Sequence, residues 1–232
     1  GKAKYALGSV LGHVLLHQTI NGNEAILQME QAGDYPDIIV GCTGGGSNLA
    51  GLMFPFLGQQ LRGGQKIDII GCEPLSCPSF TKGKYAYDHG DMARMTPLMK
   101  MHTLGSDFLP PANHSGGLRY HGMSYHLSHL YDLGLMRAKA YGQKDCFEAG
   151  VIFGKQEGII PAPEGNHAVK GAIDAALECK EKGESKTILF NLCGHGHFDM
   201  TAYDDYFSGK LADDFYDENA ANQSLSKLPE IA

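Results

Sequence analysis

An α/β fold with an open, parallel-rich sheet flanked by helices is predicted by three features of the chain. The apolar run PDIIV (36–40) leads through a glycine-rich loop into an apolar helical stretch ending near residue 62, and KIDIIGCEP (66–74) follows as a second strand. That order is one βαβ unit, which implies parallel pairing with a right-handed crossover. The run TILFNLC (187–193) is rich in apolar residues, as expected of a buried strand. Before it, PEGNHAVKGAIDAALECKEKGE (163–184) carries Ala168, Ala172, Ala175, Ala176 and Leu177 at helical spacing and ends in a Lys/Glu-rich turn.

The remaining elements follow in order. NEAILQMEQAG (23–33) has helical periodicity, and the second strand stops at Pro74. Residues 75–118 show no sustained period and are rich in Gly, Pro, His and Met, so they read as a long irregular segment with short helices. HGMSYHLSHLYDLG (121–134) is a short helix with a glycine stop, LMRAKAYG (135–142) a strand, and KDCFEAGVIFGKQEG (144–158) a helix ending at Gly158. The tail is polar and acidic, which divides the chain into a body, 1–208, and a peripheral arm, 209–232. The first residues, from Gly1, lack an initiator Met and already have the pattern of a domain interior, so the chain reads as a fragment.

Composition narrows the classes of function. With 232 residues and 43% hydrophobic content a sizeable core is within reach. Lys and Arg number 19 against 26 Asp and Glu, a net charge of −7, and no basic block is present. Nucleic acid and anionic membranes are therefore poor partners. Six cysteines are scattered without a CxxC pair, as expected of reduced thiols in a cytoplasm. Neither a membrane-spanning run nor a signal peptide is visible.

The segment GCTGGGSNLAG (41–51) carries the clearest chemistry. Gly44, Gly45 and Gly46 permit backbone conformations closed to other residues, and Ser47 and Asn48 add donors where a helix begins. Unpaired N–H groups and the helix dipole then face one point, which suits a phosphate. The spacing is neither GxGxxG nor GxxxxGK[ST], so the dinucleotide and nucleoside triphosphate motifs are absent. A turn that binds nothing is the bland alternative. Cys193, at the end of the last strand, either touches a ligand shared with that loop or, with His195, His197 and Asp199, ligates zinc. Glu164 opens a helix, where an acid complements the dipole whatever else it does. HSGGLRYHGM (114–123), with Arg119, is either a turn with a surface charge or a structured loop near a site.

Five segments in order, GCTGGGSNLAG, TLGSDFLPP, HSGGLRYHGM, EGIIPAPEGNHA and ILFNLCGHGHFD, resemble the β chain of tryptophan synthase. HSGGLRYHGM and GHGHFD are similar to its second, stand-alone type, and the resemblance is to the C-terminal part of that chain. It implies the tryptophan-synthase-β-like pyridoxal-phosphate fold (fold type II) and a cytoplasmic homodimeric lyase. That enzyme replaces the hydroxyl of L-serine with indole to give L-tryptophan. By position, Gly44, Gly45, Gly46, Ser47 and Asn48 would hold the phosphate of pyridoxal 5′-phosphate, and Glu164 would stand near its ring. Cys193 would face the pyridine nitrogen at a position usually Ser in the family, and Gly105 and Asp107 would line the substrate side.

One part of the family pattern has no counterpart. The Schiff-base lysine lies in a His-Lys-x-Asn motif, and none of the 11 histidines is followed by Lys. The substrate-carboxylate loop is likewise unmatched. The resemblance implies that both belong to a part that would precede Gly1. The isolated chain is therefore expected to be inactive, with no catalytic residue of its own and no metal ligand set. A related β-elimination or β-replacement enzyme on another amino acid, and a non-catalytic phosphate-binding module, are the other readings left open.

Overall fold

The computed structural model describes residues 4–213 and 215–230. Gly1, from which the fragment reading of the sequence starts, lies outside the described residues. The elements are α1 (Gly12–Ala32), β1 (Ile38–Cys42), α2 (Ser47–Leu61), β2 (Asp68–Pro74), β3 (Lys84–His89) and β4 (Leu98–Thr103). A single 3₁₀ turn (Gly116–Leu118) then precedes α3 (Tyr125–Asp132), β5 (Arg137–Tyr141), α4 (Gln143–Glu157), α5 (Pro163–Lys182), β6 (Ile188–Phe190), α6 (Met200–Phe207) and α7 (Glu218–Leu225). Four strands form a parallel sheet in the order β5-β2-β1-β6, with Ile38 opposite both Asp68 and Ile188. The predicted open parallel sheet is present.

Strand alternation explains the two layers of helix. Ile39 and Ile69 point to one side and pack with Leu15 of α1 and Leu49, Met53 and Phe56 of α2. Ile38, Val40 and Ile70 point to the other and meet Cys146 of α4 and Ala175 and Cys179 of α5. All five residues of β1 are buried, as expected of a central strand covered on both faces. β6 is only half-buried, contrary to its apolar sequence, because among the described residues it forms an edge of the sheet.

Two further differences have local causes. α1 begins at Gly12 rather than near residue 23. Gly22 interrupts the helical signal, since glycine inside a helix costs about 1 kcal/mol relative to Ala. It is there because α1 crosses α2 closely: a Cβ at Gly22 would lie 2.6 Å from the Gly51 carbonyl oxygen. The 75–118 segment is also more regular than its composition suggests, because β3 and β4 pair as an antiparallel ribbon. Tyr85 and His102 face each other there with ring centroids 4.9 Å apart. That cross-strand contact is not expressed in either strand's own periodicity.

The polar tail lies along the body. Leu211 is buried with Phe147, Ala202 and Tyr203, and Ala221 of α7 with Cys77, Leu104 and Phe108. The Lys144 amide donates to Asp213 Oδ1 at 2.9 Å. No helix among the described residues is long and apolar enough to cross a membrane.

Candidate functional site

β1 has β2 on one side and β6 on the other, so the chain's route reverses direction across the sheet at this strand. In open α/β sheets the crevice beyond such a reversal is where ligands bind. The Thr43 amide extends the ladder one step by donating to the Cys72 carbonyl at 2.8 Å, after which the backbone turns through Gly44–Gly46 into α2. Gly46 is the N-cap with φ 95°, and no side chain caps the helix. Thr43 through Ser47 are buried, so the first amides of α2, which helix geometry leaves without intrahelical acceptors, are shielded from bulk water. Thr43 Oγ1 is also buried without a hydrogen-bond partner. Uncapped buried amides beside an orphaned hydroxyl are groups that an anion would satisfy.

The structure refines the role of the glycines. A Cβ on Gly44 would lie 2.6 Å from the Gly117 carbonyl oxygen, and one on Gly45 would run into the Ser9 hydroxyl. A Cβ on Gly46 would sit 2.5 Å from Leu127 Cδ1. The bare Cα positions thus admit three packed segments of the protein itself, leaving the amides to define the cradle. The Ser124 amide donates to the Gly45 carbonyl at 3.0 Å and fixes one of these segments. The 114–123 loop is structured: Leu118 is buried against Cys42 and Ala168, and Arg119 Nη2 donates to the Pro110 carbonyl at 2.6 Å.

Ser47 and Asn48 are both engaged. Ser47 Oγ is 3.3 Å from Ser9 Oγ, and Asn48 Oδ1 accepts from Asn191 Nδ2 at 3.0 Å. Sequence reasoning picks out neither Ser9 nor Asn191. Asn191 lies two residues from Cys193 at the same strand end, a signal that could have found it, whereas Ser9 has no local signal. Cys193 is exposed and its Sγ lies 3.5 Å from that of buried Cys42. The hydrogen bond with Cys193, together with burial, pushes the Cys42 thiol far up, while the same contact with Cys42 holds Cys193 below the ordinary thiol range.

Glu164 is the second residue of α5 and is half-buried; its Oε1 accepts from the Gly117 amide at 2.8 Å. The loop after Cys193 is laced to the segment before Glu164, with the Ala162 amide donating to Gly194 at 2.9 Å and the Gly196 amide to Ile160 at 2.7 Å. The 44–48 loop, Glu164 and Cys193 are therefore joined through Gly117, Asn191 and Cys42. Gly105 and Asp107 lie elsewhere in the network. Gly105 has φ 91° and abuts Ser224 of α7, and Asp107 pairs with Arg94 and with Lys227, each at 3.0 Å. Among the described residues, none of their hydrogen bonds or ion pairs runs to residues 44–48, Glu164 or Cys193. His195 and His197 lean on each other with centroids 4.6 Å apart, and the described residues contain no cluster of three or more His, Cys, Asp or Glu able to hold a metal.

Residues 14–194 match the family model for the pyridoxal-phosphate dependent enzymes. The chain belongs to that family. Pyridoxal phosphate is accordingly its cofactor, and the uncapped, anion-ready start of α2 fits the cofactor's phosphate. Relatives named tryptophan synthase β chain 2 include proteins of Methanosarcina mazei and Aquifex aeolicus, each 58% identical and each covering 90% of this chain. A tryptophan synthase β chain of Pyrococcus horikoshii is 51% identical over 98% of the chain. These bear out the resemblance to the second type of that chain. The alignments take in 47% to 49% of these relatives, so the chain spans about half their length. Among solved structures, a fungal L-serine ammonia-lyase from Rhizomucor miehei superposes with a TM-score of 0.65 at 14% identity, covering 89% of this chain and 60% of that one. A threonine deaminase from T.th. gives 0.57 at 17% identity, covering 82% and 54%. Both show the fold-type expectation to hold.

Proposed function

We propose that this chain forms the cofactor-holding part of a β-replacement lyase that joins L-serine and indole into L-tryptophan. The reading rests chiefly on one observation: an uncapped helix start at the strand reversal is linked to Cys193 through Asn48 and Cys42, and packs on Gly117, which bonds Glu164, in a chain closely similar to tryptophan synthase β chains. Bound pyridoxal phosphate supplies an electron sink that lowers the barrier to losing the substrate's α-proton and β-hydroxyl. The chain's own groups bind and orient. The amides of Gly44 to Asn48 hold the phosphate, and the clasp between Asn48 and Asn191 keeps that loop in register with β6. Cys193 faces the pyridine nitrogen, and a thiol there is too weak an acid to protonate it, which favours β-replacement over deeper carbanion chemistry. Glu164 stands beside the ring with its carboxylate steadied by Gly117. Gly105 and Asp107 line the substrate side from the β4 end, with Asp107 oriented by its two cations.

Residues 1–208 make up the C-terminal part of the pyridoxal-phosphate domain, and 209–232 an arm strapped to it. The complete enzyme is a cytoplasmic homodimer, with the Schiff-base lysine supplied by a segment preceding Gly1. The 232 residues contain no His-Lys pair, so on their own they hold the cofactor without a covalent link and do not turn over. The test is tryptophan formation from serine and indole by the chain alone and by the chain mixed with the N-terminal half of the Methanosarcina mazei relative. Activity only in the mixture is expected. Turnover by the chain alone would overturn the account of the lysine, and a mixture that assembles and binds cofactor yet makes no tryptophan would overturn the assigned reaction. In the active mixture Cys193→Ser should preserve β-replacement, whereas Cys193→Asp should divert flux toward transamination; equal product ratios would remove Cys193 from the ring nitrogen.

A further inference from the structure

We propose that Cys42 and Cys193 form a thiol-modification site that closes to an intramolecular disulfide when a hydroperoxide oxidises Cys193. The two thiols end neighbouring parallel strands, two and three residues beyond the last matched pair, Val40 and Phe190. Their Sγ atoms lie 3.5 Å apart. A disulfide needs about 2.0 Å, so closure requires roughly 1.5 Å of travel, within reach of a side-chain rotation and a small shift of one backbone. Only one backbone must give way. Cys42 is locked in a central strand, whereas Cys193 lies in the irregular stretch after β6. The Asn191 to Asn48 bond holds the two strand ends together while that happens.

The division of labour follows from exposure. Cys193 is the one exposed cysteine of the six, and its hydrogen bond with Cys42 favours its thiolate, the nucleophilic form. Thiolate attack on hydrogen peroxide breaks the O–O bond, giving a sulfenic acid on Cys193 and, after protonation, water. Cys42 sulfur then attacks Cys193 sulfur; the S–O bond breaks, and the proton from the Cys42 thiol leaves with the departing hydroxide as a second water. The sum is two thiols and one peroxide giving one disulfide and two waters, with two electrons passing from sulfur to oxygen. A reducing dithiol reverses it by exchange. The other four cysteines are buried, and no sulfur–sulfur contact involving them is among the hydrogen bonds of the described residues. The proposal concerns the cofactor-free chain, in which Cys193 is exposed; a pyridoxal ring set against Cys193 as proposed above would shield its sulfur from peroxide.

The experiment treats the reduced, full 232-residue chain with hydrogen peroxide and follows intact mass and peptide maps. A loss of two hydrogens, a cross-linked peptide joining Cys42 to Cys193, and reversal by dithiothreitol are expected. In Cys42→Ala the resolving thiol is gone, so Cys193 should accumulate as a sulfenic acid captured by dimedone. Cys193→Ser should yield neither cross-link nor dimedone adduct. Addition of oxygen atoms to wild-type Cys193 without a cross-link, or a disulfide joining other cysteines, would overturn the proposal. The wild-type map decides this even if Cys42→Ala fails to fold.

Discussion

The carboxyl ends of β2 and of β1 lie side by side in one sheet and handle buried polarity in opposite ways. At the end of β2, Glu73 is fully buried and both its carboxyl oxygens are bonded: it accepts from the Phe80 amide at 2.8 Å, the Thr81 amide at 2.9 Å and the Thr81 hydroxyl at 2.6 Å. Burial nevertheless raises it to about 7. At the end of β1, Thr43 Oγ1 has no partner and α2 no cap. The first end closes a turn on itself. The second is left incomplete, and an incomplete buried polar site is one that a ligand stabilises.

The largest expected effect lies in the glycine loop. Gly46→Ala forces a side chain into φ 95° and toward Leu127, and strain plus overpacking should cost about 4 kcal/mol. Gly33→Ala, with φ 69° and open space around it, should cost only about 1 kcal/mol. Urea denaturation of both variants measures the difference, and equal losses would show that the loop is not tightly packed.

Next is the pH response of Glu73. Its folded value, about 7, lies above the ordinary 4.5, so the native state holds the extra proton between them. The associated stability is present below about 4.5 and lost as pH rises to about 7, by up to about 3 kcal/mol. His167, buried and lowered to about 4, acts in the opposite sense: its stability is present above 6.5 and lost as pH falls toward about 4. The two slopes oppose each other in the wild type. Glu73→Gln should therefore leave stability rising more steeply with pH between about 5 and 7, measured as the difference between the two unfolding profiles. Parallel profiles would mean that Glu73 stays ionised throughout.

The smallest effect separates the two ends by sign. Thr81→Val removes a bonded hydroxyl and should destabilise by about 1 kcal/mol, whereas Thr43→Val removes an orphaned one and should be neutral or slightly stabilising. Thr43→Val should at the same time weaken pyridoxal phosphate binding, read by equilibrium dialysis. A clear loss of stability in Thr43→Val would mean that its hydroxyl is already satisfied.

Much of this is readable along the chain because it is local chemistry. The runs of isoleucine and valine in β1 and β2, the stop at Gly158 with φ 72°, and the Gly-Ser-Asn sequence at the start of α2 each carry their own physical signature. The β3–β4 ribbon is hidden because its stabilising pair, Tyr85 and His102, is separated along the chain, and the start of α1 because Gly22 answers to a neighbouring helix. Ser9 meets Ser47, and Cys42 meets Cys193, across 38 and 151 residues. Periodicity and motif establish which segments are strand, helix or anion-ready turn, since backbone preference and burial pattern act over a few residues. Which side chains share one crevice depends on the strand order β5-β2-β1-β6, because that order sets which strand ends become neighbours.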